Sequence, residues 1–178
     1  MNGITHKIAG VCIGTVATGV LIEPTPISCG LVIAGSVIGS LFPDIDEPNS
    51  IAGSKARLAS KIIKHTTGHR GFFHTPLNLI ISSALLFLFH LKVAGTIFAN
   101  FDYNDIPWAL FLFIGYVAGY ASHLILDFIT PTGIMIFYPF TKKKFHVFGF
   151  KGAFGNVICS LICIGLTVFY FLSKYKII

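Results

Sequence analysis

The sequence predicts an all-α protein, a polytopic membrane bundle of about five transmembrane helices with a metal site at its cytoplasmic end. Hydrophobic residues make up 54% of the 178 residues and charged residues only 11%, whereas an ordinary soluble domain carries about 25% charged residues. Five apolar segments approach the roughly 20 residues that a membrane-spanning helix needs. The few ionisable residues concentrate between these segments. These observations exclude a soluble monomer and favour one integral membrane domain over residues 1–178.

Each span is predicted from an apolar run bounded by turn or polar residues. The spans lie near residues 8–22, 24–42, 76–99, 107–130 and 153–173. Pro24 and Pro26 mark a tight turn between the first two. The first run resembles a signal-peptide core, but no small-residue cleavage site follows it, so we expect it to be retained. Gly115 and Gly119 predict close packing of the fourth span against a neighbour.

The basic residues predict the orientation of the bundle. If all five segments cross, the N-terminus and the connections 43–75 and 131–152 share one face, which carries ten of the 13 basic residues. They are Lys7, Lys55, Arg57, Lys61, Lys64, Arg70, Lys142, Lys143, Lys144 and Lys151. Because basic residues gather in cytoplasmic loops, this face is expected to be cytoplasmic. The same lysines are expected to attract anionic lipid.

Seven possible metal ligands fall at the same end of the predicted bundle. They sit where spans one and three leave the basic face and where spans two and four arrive at it. They are His6, Asp44, Asp46, His69, His74, His123 and Asp127. Ionisable residues are costly near a membrane and mark functional sites. Each alone has a simpler explanation, such as a helix cap at Asp44 or a polar contact between helices at His123.

The chemistry of this set favours a divalent metal. His123 and Asp127 are spaced i, i+4 and therefore share one helix face. Imidazole and carboxylate donors suit zinc, with manganese and iron as alternatives. One tetrahedral ion needs three or four protein ligands, so seven residues suffice for two ions. Two adjacent ions can clamp the attacking and leaving oxygens of a phosphoester displacement.

Several strings carry a resemblance to a known family. They are Thr5-His6, Gly39-Ser40-Leu41-Phe42-Pro43-Asp44-Ile45-Asp46, His69-Arg70-Gly71-Phe72-Phe73-His74-Thr75, Ser122-His123-Leu124-Ile125-Leu126-Asp127, Pro131-Thr132-Gly133 and Tyr138-Pro139-Phe140. Together they resemble the YdjM-like family of membrane-bound metal-dependent hydrolases, which is distantly similar to zinc-dependent phospholipases C. The resemblance implies a helical protein of the bacterial inner membrane and metal-ligand roles for the seven residues above.

The expected function is hydrolysis of a phosphoester in a lipid or lipid-linked substrate at the cytoplasmic leaflet. Asp44 or Asp46 would bridge the ions or act as a general base, and Arg70 would hold a phosphate oxygen. Membrane lipids and a phosphorylated substrate are the expected partners, and no nucleic acid is expected. Two alternatives stay open: a regulatory membrane protein with a structural metal, and a transporter of a metal or small solute.

Overall fold

Six helices, named α1 to α6 in chain order, make up the bundle. The computed structural model describes residues 1–21, 24–67, 70–97, 107–150, 152–174 and 176. The helices are α1 Gly3–Ala17, α2 Pro26–Leu41, α3 Arg57–Thr67, α4 Pro76–Ile97, α5 Pro107–Phe128 and α6 Gly152–Lys174. All of them except α3 correspond to the predicted spans. Residue 22 and residues 98–99, at the predicted ends of spans one and three, lie outside the described residues.

The helical membrane architecture predicted from the sequence is confirmed. Three helical stretches are long and apolar enough to cross a membrane, at Pro26–Asp46, Trp108–Phe128 and Gly152–Lys174. Two shorter apolar helices accompany them, at Gly3–Ala17 and Pro76–Lys92. Within the described part of the chain, the one β-type pairing is an isolated bridge between Ile134 and Phe145.

Local sequence signals set the first helix boundaries. The side chain of Asn2 accepts a hydrogen bond from the backbone N–H of Thr5 at 2.9 Å and so caps α1. Thr25 and Ser28 form a reciprocal capping box at the start of α2, with Pro26 in the first turn. A 3₁₀ turn over Pro43–Asp46 follows α2 directly and carries its two aspartates away from the helix.

Glycines bring α2 and α5 close enough for their backbones to touch. A Cβ added at Gly35 or Gly39 would clash with carbonyl oxygens of α5, and one added at Gly115 or Gly119 would clash with carbonyl oxygens of α2. The predicted close packing at Gly115 and Gly119 is therefore confirmed, and its partner surface is α2. This contact fixes the end of α5 beside the turn that follows α2.

Two further polar contacts tie the neighbouring elements to this pair. Ser36 of α2 donates a hydrogen bond to the carbonyl of Gly10 in α1 at 2.7 Å. The buried Tyr120 of α5 donates to the carbonyl of Phe73 at 2.6 Å and accepts from Asn78 of α4 at 2.7 Å. Tyr120 therefore holds the short turn Phe72–His74 against α5.

The connection 43–75, for which the sequence analysis predicts no helix, contains α3. The helix is amphipathic: Arg57, Lys61 and Lys64 accompany Leu58 and Ile62, whose side chains are 76% and 59% exposed. Its 11 residues are too few to span a bilayer. An amphipathic helix of this kind, basic on one side and apolar on the other, is suited to the membrane interface.

Candidate metal centre

Four chain segments deliver the predicted donors to one end of the bundle. His6 lies near the start of α1, and His123 and Asp127 lie in the last turns of α5. Asp44 belongs to the turn after α2, and His74 ends the turn before α4. All but Asp44 are buried to 1% exposure or less, and the Asp44 side chain is 14% exposed. The clustering predicted from the sequence is thus present for these five residues.

A core of four donors surrounds one point. His74 Nε2 lies 3.5 Å from Asp44 Oδ1 and 3.4 Å from Asp127 Oδ2. His123 Nε2 lies 3.8 Å from the same Asp44 oxygen and 3.5 Å from the same Asp127 oxygen. Asp44, His74 and His123 also form a group whose ligand atoms all lie within 4.8 Å of one another. Two imidazoles therefore alternate with two carboxylates.

These separations fit a shared ion better than direct hydrogen bonds. An ordinary N–H···O bond spans about 2.7–3.2 Å. Donors bonded at about 2.0–2.2 Å to one tetrahedral ion lie about 3.3–3.6 Å apart. Within the described residues, His123 Nε2 and Asp127 Oδ2 are buried and have no hydrogen-bond partner. Because such groups are costly to bury unpaired, we conclude that these residues can hold a metal ion.

Neighbouring groups fix the orientation of both imidazoles. His123 Nδ1 lies 2.7 Å from the carbonyl oxygen of Ser40. A carbonyl only accepts, so Nδ1 carries the proton and Nε2 presents its lone pair to the other donors. Asp46 Oδ2 lies 3.3 Å from His74 Nδ1 and stands behind that ring. Groups that contact the Nδ1 atom of a histidine in this way align its ring for metal binding through Nε2 and raise the basicity of Nε2.

The carboxylates around His74 also change its protonation. Burial alone lowers the pKa of His74, but the close carboxylates of Asp44, Asp46 and Asp127 outweigh it and raise the pKa to about 9. In the metal-free protein His74 is therefore a cation at neutral pH. The carboxylates therefore favour a positive charge at His74, and a bound metal ion would supply that charge in place of the proton.

His6 belongs to a second group of donors, which overlaps the first. Its ring stacks on His123 with centroids 3.7 Å apart and planes 15° apart. Its Nε2 lies 3.5 Å from Asp127 Oδ1, and neither ring nitrogen has a hydrogen-bond partner among the described residues. His6, His123 and Asp127 together satisfy the spacing of a metal-binding group. The two groups of metal-binding spacing share His123.

Arg70 binds Oδ1 of Asp127, the carboxylate oxygen that does not face His74 and His123. Its guanidinium donates to Asp127 Oδ1 and to the hydroxyl of Thr130, both at 2.9 Å. Its backbone N–H donates to Asp46 Oδ2 at 3.1 Å, and its φ of 53° lies in the left-handed region that non-glycine residues seldom adopt. The amino group of Met1 also lies 2.9 Å from Asp127 Oδ1. Asp127 thus meets the cationic groups and His6 on Oδ1, and His74 and His123 on Oδ2.

The structure separates the predicted residues by position. Asp46 contacts His74 from behind and belongs to neither group of metal-binding spacing. His69 lies outside the described residues. Sequence reasoning did not identify the Ser40 carbonyl or Thr130, which support His123 and Arg70. Ser40 could not be found because its contact uses the backbone, whereas Thr130 lies one turn beyond Asp127 and donates to its carbonyl at 2.7 Å.

Comparisons with known proteins agree with this architecture. The family described as YdjM inner membrane protein matches residues 1–177. Inner membrane protein YdjM of Escherichia coli (strain K12) is 33% identical over 137 residues, 77% of this chain, and the Shigella flexneri protein of that name matches equally. The matched segment spans 63% of the length of these two relatives. Uncharacterized protein YvsG of Bacillus subtilis (strain 168) is 30% identical over 170 residues, 94% of this chain and 91% of its own. No solved structure matches the chain.

Proposed function

This chain belongs to the YdjM family of inner membrane proteins, and we propose that it is a metal-dependent hydrolase acting on a phosphoester of a lipid or lipid-linked substrate. The observation that carries the proposal is the convergence of two histidines and two aspartates from three chain segments at one end of the bundle. A site at the end of a membrane bundle is accessible to the head groups of lipids.

The donor set supports catalysis more than a structural role. Structural zinc sites are built mainly from cysteine thiolates, whereas catalytic sites use histidine and carboxylate and keep a position for water or substrate. Here no cysteine belongs to either donor group. Asp44 is the one donor of the four whose side chain reaches solvent. A divalent ion bound there supplies Lewis-acid chemistry and lowers the pKa of a water molecule.

The chain's own residues divide the remaining tasks. His74 and His123 hold the ion through Nε2, and Ser40 and Asp46 keep both rings in place. Asp44 accepts a proton through the carboxylate oxygen that does not face the histidines, which is the general-base role expected of Asp44 or Asp46 from the sequence. Asp46 is fully buried, so we assign it the positioning of His74 instead.

Arg70 can serve both the centre and the substrate. Two of its five N–H donors are engaged by Asp127 and Thr130. The remaining donors leave capacity for a phosphate oxygen, which is the role expected from the sequence. We infer that Arg70 positions Asp127 and stabilises charge that develops on the substrate.

The metal is proposed to be zinc, with manganese and iron as alternatives. One ion would be held by Asp44, His74 and His123, which satisfy the spacing of a metal-binding group, with Asp127 beside both histidines. Because both donor groups contain His123 and only its Nε2 is free to bind an ion, the second ion expected from the sequence would rely on His6 and Asp127. Because Asp127 Oδ1 already accepts from Arg70, we expect the second position to be the weaker one. Titration should therefore show one tight site, and a second only at excess metal.

A second candidate function is a regulatory membrane protein with a structural metal. The observation that favours it is that four protein donors can close a tetrahedral site. Transport is less well supported, because transporter sites lie near the bilayer midplane and these donors lie at one end of the helices. The orientation of that end toward the cytoplasm rests on the basic residues and is part of the proposal.

The test compares lipid hydrolysis by matched variants. Detergent-purified protein, loaded with zinc, manganese or iron, is incubated with mixed micelles of phospholipids, and released phosphate compounds are measured. We expect activity in the wild type, at least a hundredfold loss in His123→Ala, and no loss in Glu47→Gln, whose carboxylate pairs with Lys64 at 2.7 Å near the surface. Metal retention without any hydrolysis across the panel would favour the structural candidate.

A further inference from the structure

A basic cavity lies beside the metal centre and shares Arg70 with it. The cavity has a volume of about 300 Å³ and lies between the end of α3, the segment after it and the connection from α5 to α6. Its polar lining includes Thr66, Arg70, Tyr138, Lys142 and Lys144. We propose that this cavity binds the phosphate group of the substrate, which rests on the proposed function and names the part of the substrate that it recognises.

The charge of the lining selects an anion. Three of its side chains are cationic, and no carboxylate occurs among the described residues that line it. Arg70 belongs both to the lining of this cavity and to the contacts of Asp127, so it links the cavity to the metal centre. A volume of about 300 Å³ is at the lower end of small-molecule sites, which suits a compact head group rather than a whole lipid.

The lysines belong to an ordered segment. Ile134 and Phe145 exchange two backbone hydrogen bonds, at 3.0 and 2.9 Å, on either side of the lysine turn. The N–H of Val147 also donates to the carbonyl of Phe128 at the end of α5. Phe72 and Tyr138 pack edge to face at 5.9 Å and join the two sides of the cavity. This backbone pairing holds Lys142 and Lys144 at the cavity, so their charges act locally.

The middle lysine provides a natural control. Lys143 is absent from the described lining, and its ammonium lies 5.6 Å from the centre of the Phe145 ring. It has the same charge as its neighbours and occupies the same turn. A general attraction between the protein and anions would depend on all three lysines equally. Binding in the cavity depends on Lys142 and Lys144.

Exposed apolar side chains near the cavity favour a lipid as the source of the phosphate. Phe140, in the same connection as the lysines, is 94% exposed, and Phe137 is 56% exposed. On the other side, α3 presents Leu58 and Ile62 outward. Basic and apolar side chains in this arrangement bind the interface of anionic membranes. A lipid bound against these apolar side chains would bring its head group close to the cavity.

The test is a binding measurement on the full-length protein in detergent. Dihexanoyl phosphatidic acid, inorganic phosphate and dihexanoyl phosphatidylcholine are titrated by calorimetry into the wild type, the double variant Lys142→Gln/Lys144→Gln, and Lys143→Gln. We expect the double variant to bind phosphatidic acid about thirtyfold more weakly, from the loss of two lysines near an anionic group. Lys143→Gln should change binding less than about threefold. Equal losses in Lys143→Gln and the double variant, or no loss in either, would overturn the proposal.

The other ligands and the metal content separate the remaining explanations. Lysine-dependent binding that is tighter for phosphatidic acid than for phosphate supports a lipid head group; equal affinities support a free phosphate. Phosphatidylcholine should bind more weakly than phosphatidic acid, because its ammonium neutralises the phosphate. Repeating the titration in His123→Ala distinguishes the cavity from the metal centre. Lysine-dependent binding that persists in His123→Ala would uphold the cavity as a site separate from the metal centre. A wild type that binds phosphatidic acid through the lysines but holds no metal would uphold the cavity and refute the metal-dependent hydrolase.

Discussion

Replacing Asp46 by Asn tests whether this carboxylate positions a ligand or is itself a ligand. Asp46 Oδ2 lies 3.3 Å from His74 Nδ1 and accepts the backbone N–H of Arg70 at 3.1 Å. Asn retains an oxygen for the Arg70 N–H but removes the charge that orients His74. Loss of an outer partner lowers metal affinity by about 10–100-fold, which corresponds to about 1.4–2.7 kcal/mol. Loss of one hydrogen bond to a charged group gives a similar figure, about 1.5–3 kcal/mol.

The assay is a competition between the purified protein and a chromophoric chelator for zinc. Wild type, Asp46→Asn, Asp44→Asn and Glu47→Gln are compared under the same detergent and salt. We expect an intermediate loss for Asp46→Asn, a larger loss for Asp44→Asn and no change for Glu47→Gln. An unchanged affinity in Asp46→Asn would refute the positioning role. A loss as large as that of Asp44→Asn would show that Asp46 binds the ion directly.

Four further predictions address the packing of the helices, the protonation of His74, the release of its proton and the stability that the metal provides. Gly119→Ala should reduce stability by about 1–3 kcal/mol because the added Cβ meets the carbonyl of Ser36, whereas Gly165→Ala, in open space on α6, should not lower the melting temperature. Because the pKa of His74 is raised from 6.5 to about 9, its contribution to the stability of the metal-free protein should be complete below pH 6.5 and lost as the pH rises through 9; His74→Gln should remove this dependence in thermal unfolding curves. The same proton must leave when metal binds, so calorimetry in buffers of different ionisation enthalpy should detect its release at pH 7. Chelator should lower the melting temperature of the wild type, because an ion present at about 1,000 times its dissociation constant stabilises the folded protein by about 4 kcal/mol. The melting temperature of His123→Ala should not change with chelator.

The spans and the end of the bundle that holds the donors were predictable from the sequence. Apolar length identifies a membrane helix directly, and residues adjacent to alternate span ends must share a face. His123 and Asp127 were paired by helical spacing alone. The packing partner of Gly115 and Gly119 was not predicted, because the small residues of α2 that face them acquire their role only when the two helices meet.

The different roles of Asp44 and Asp46 could not be predicted. The motif places both at the end of a span, and only the 3₁₀ turn, with about 120° per residue, directs Asp44 toward the Nε2 atoms of His74 and His123 and Asp46 behind His74. The helix α3 was missed for another reason. Its apolar side chains face outward, so they add nothing to a core, and a short basic segment is typical of a loop unless an interface is considered.

Elemental analysis of the detergent-purified protein tests the central claim most directly. Wild type and His74→Ala/His123→Ala, which removes both imidazoles of the four-donor core, are incubated with zinc, manganese or iron, freed of unbound metal and measured by mass spectrometry. The account predicts at least one tightly bound divalent ion per chain in the wild type and none in the variant, with both proteins inserted in the membrane. A wild type that holds no ion under any of these conditions would contradict it.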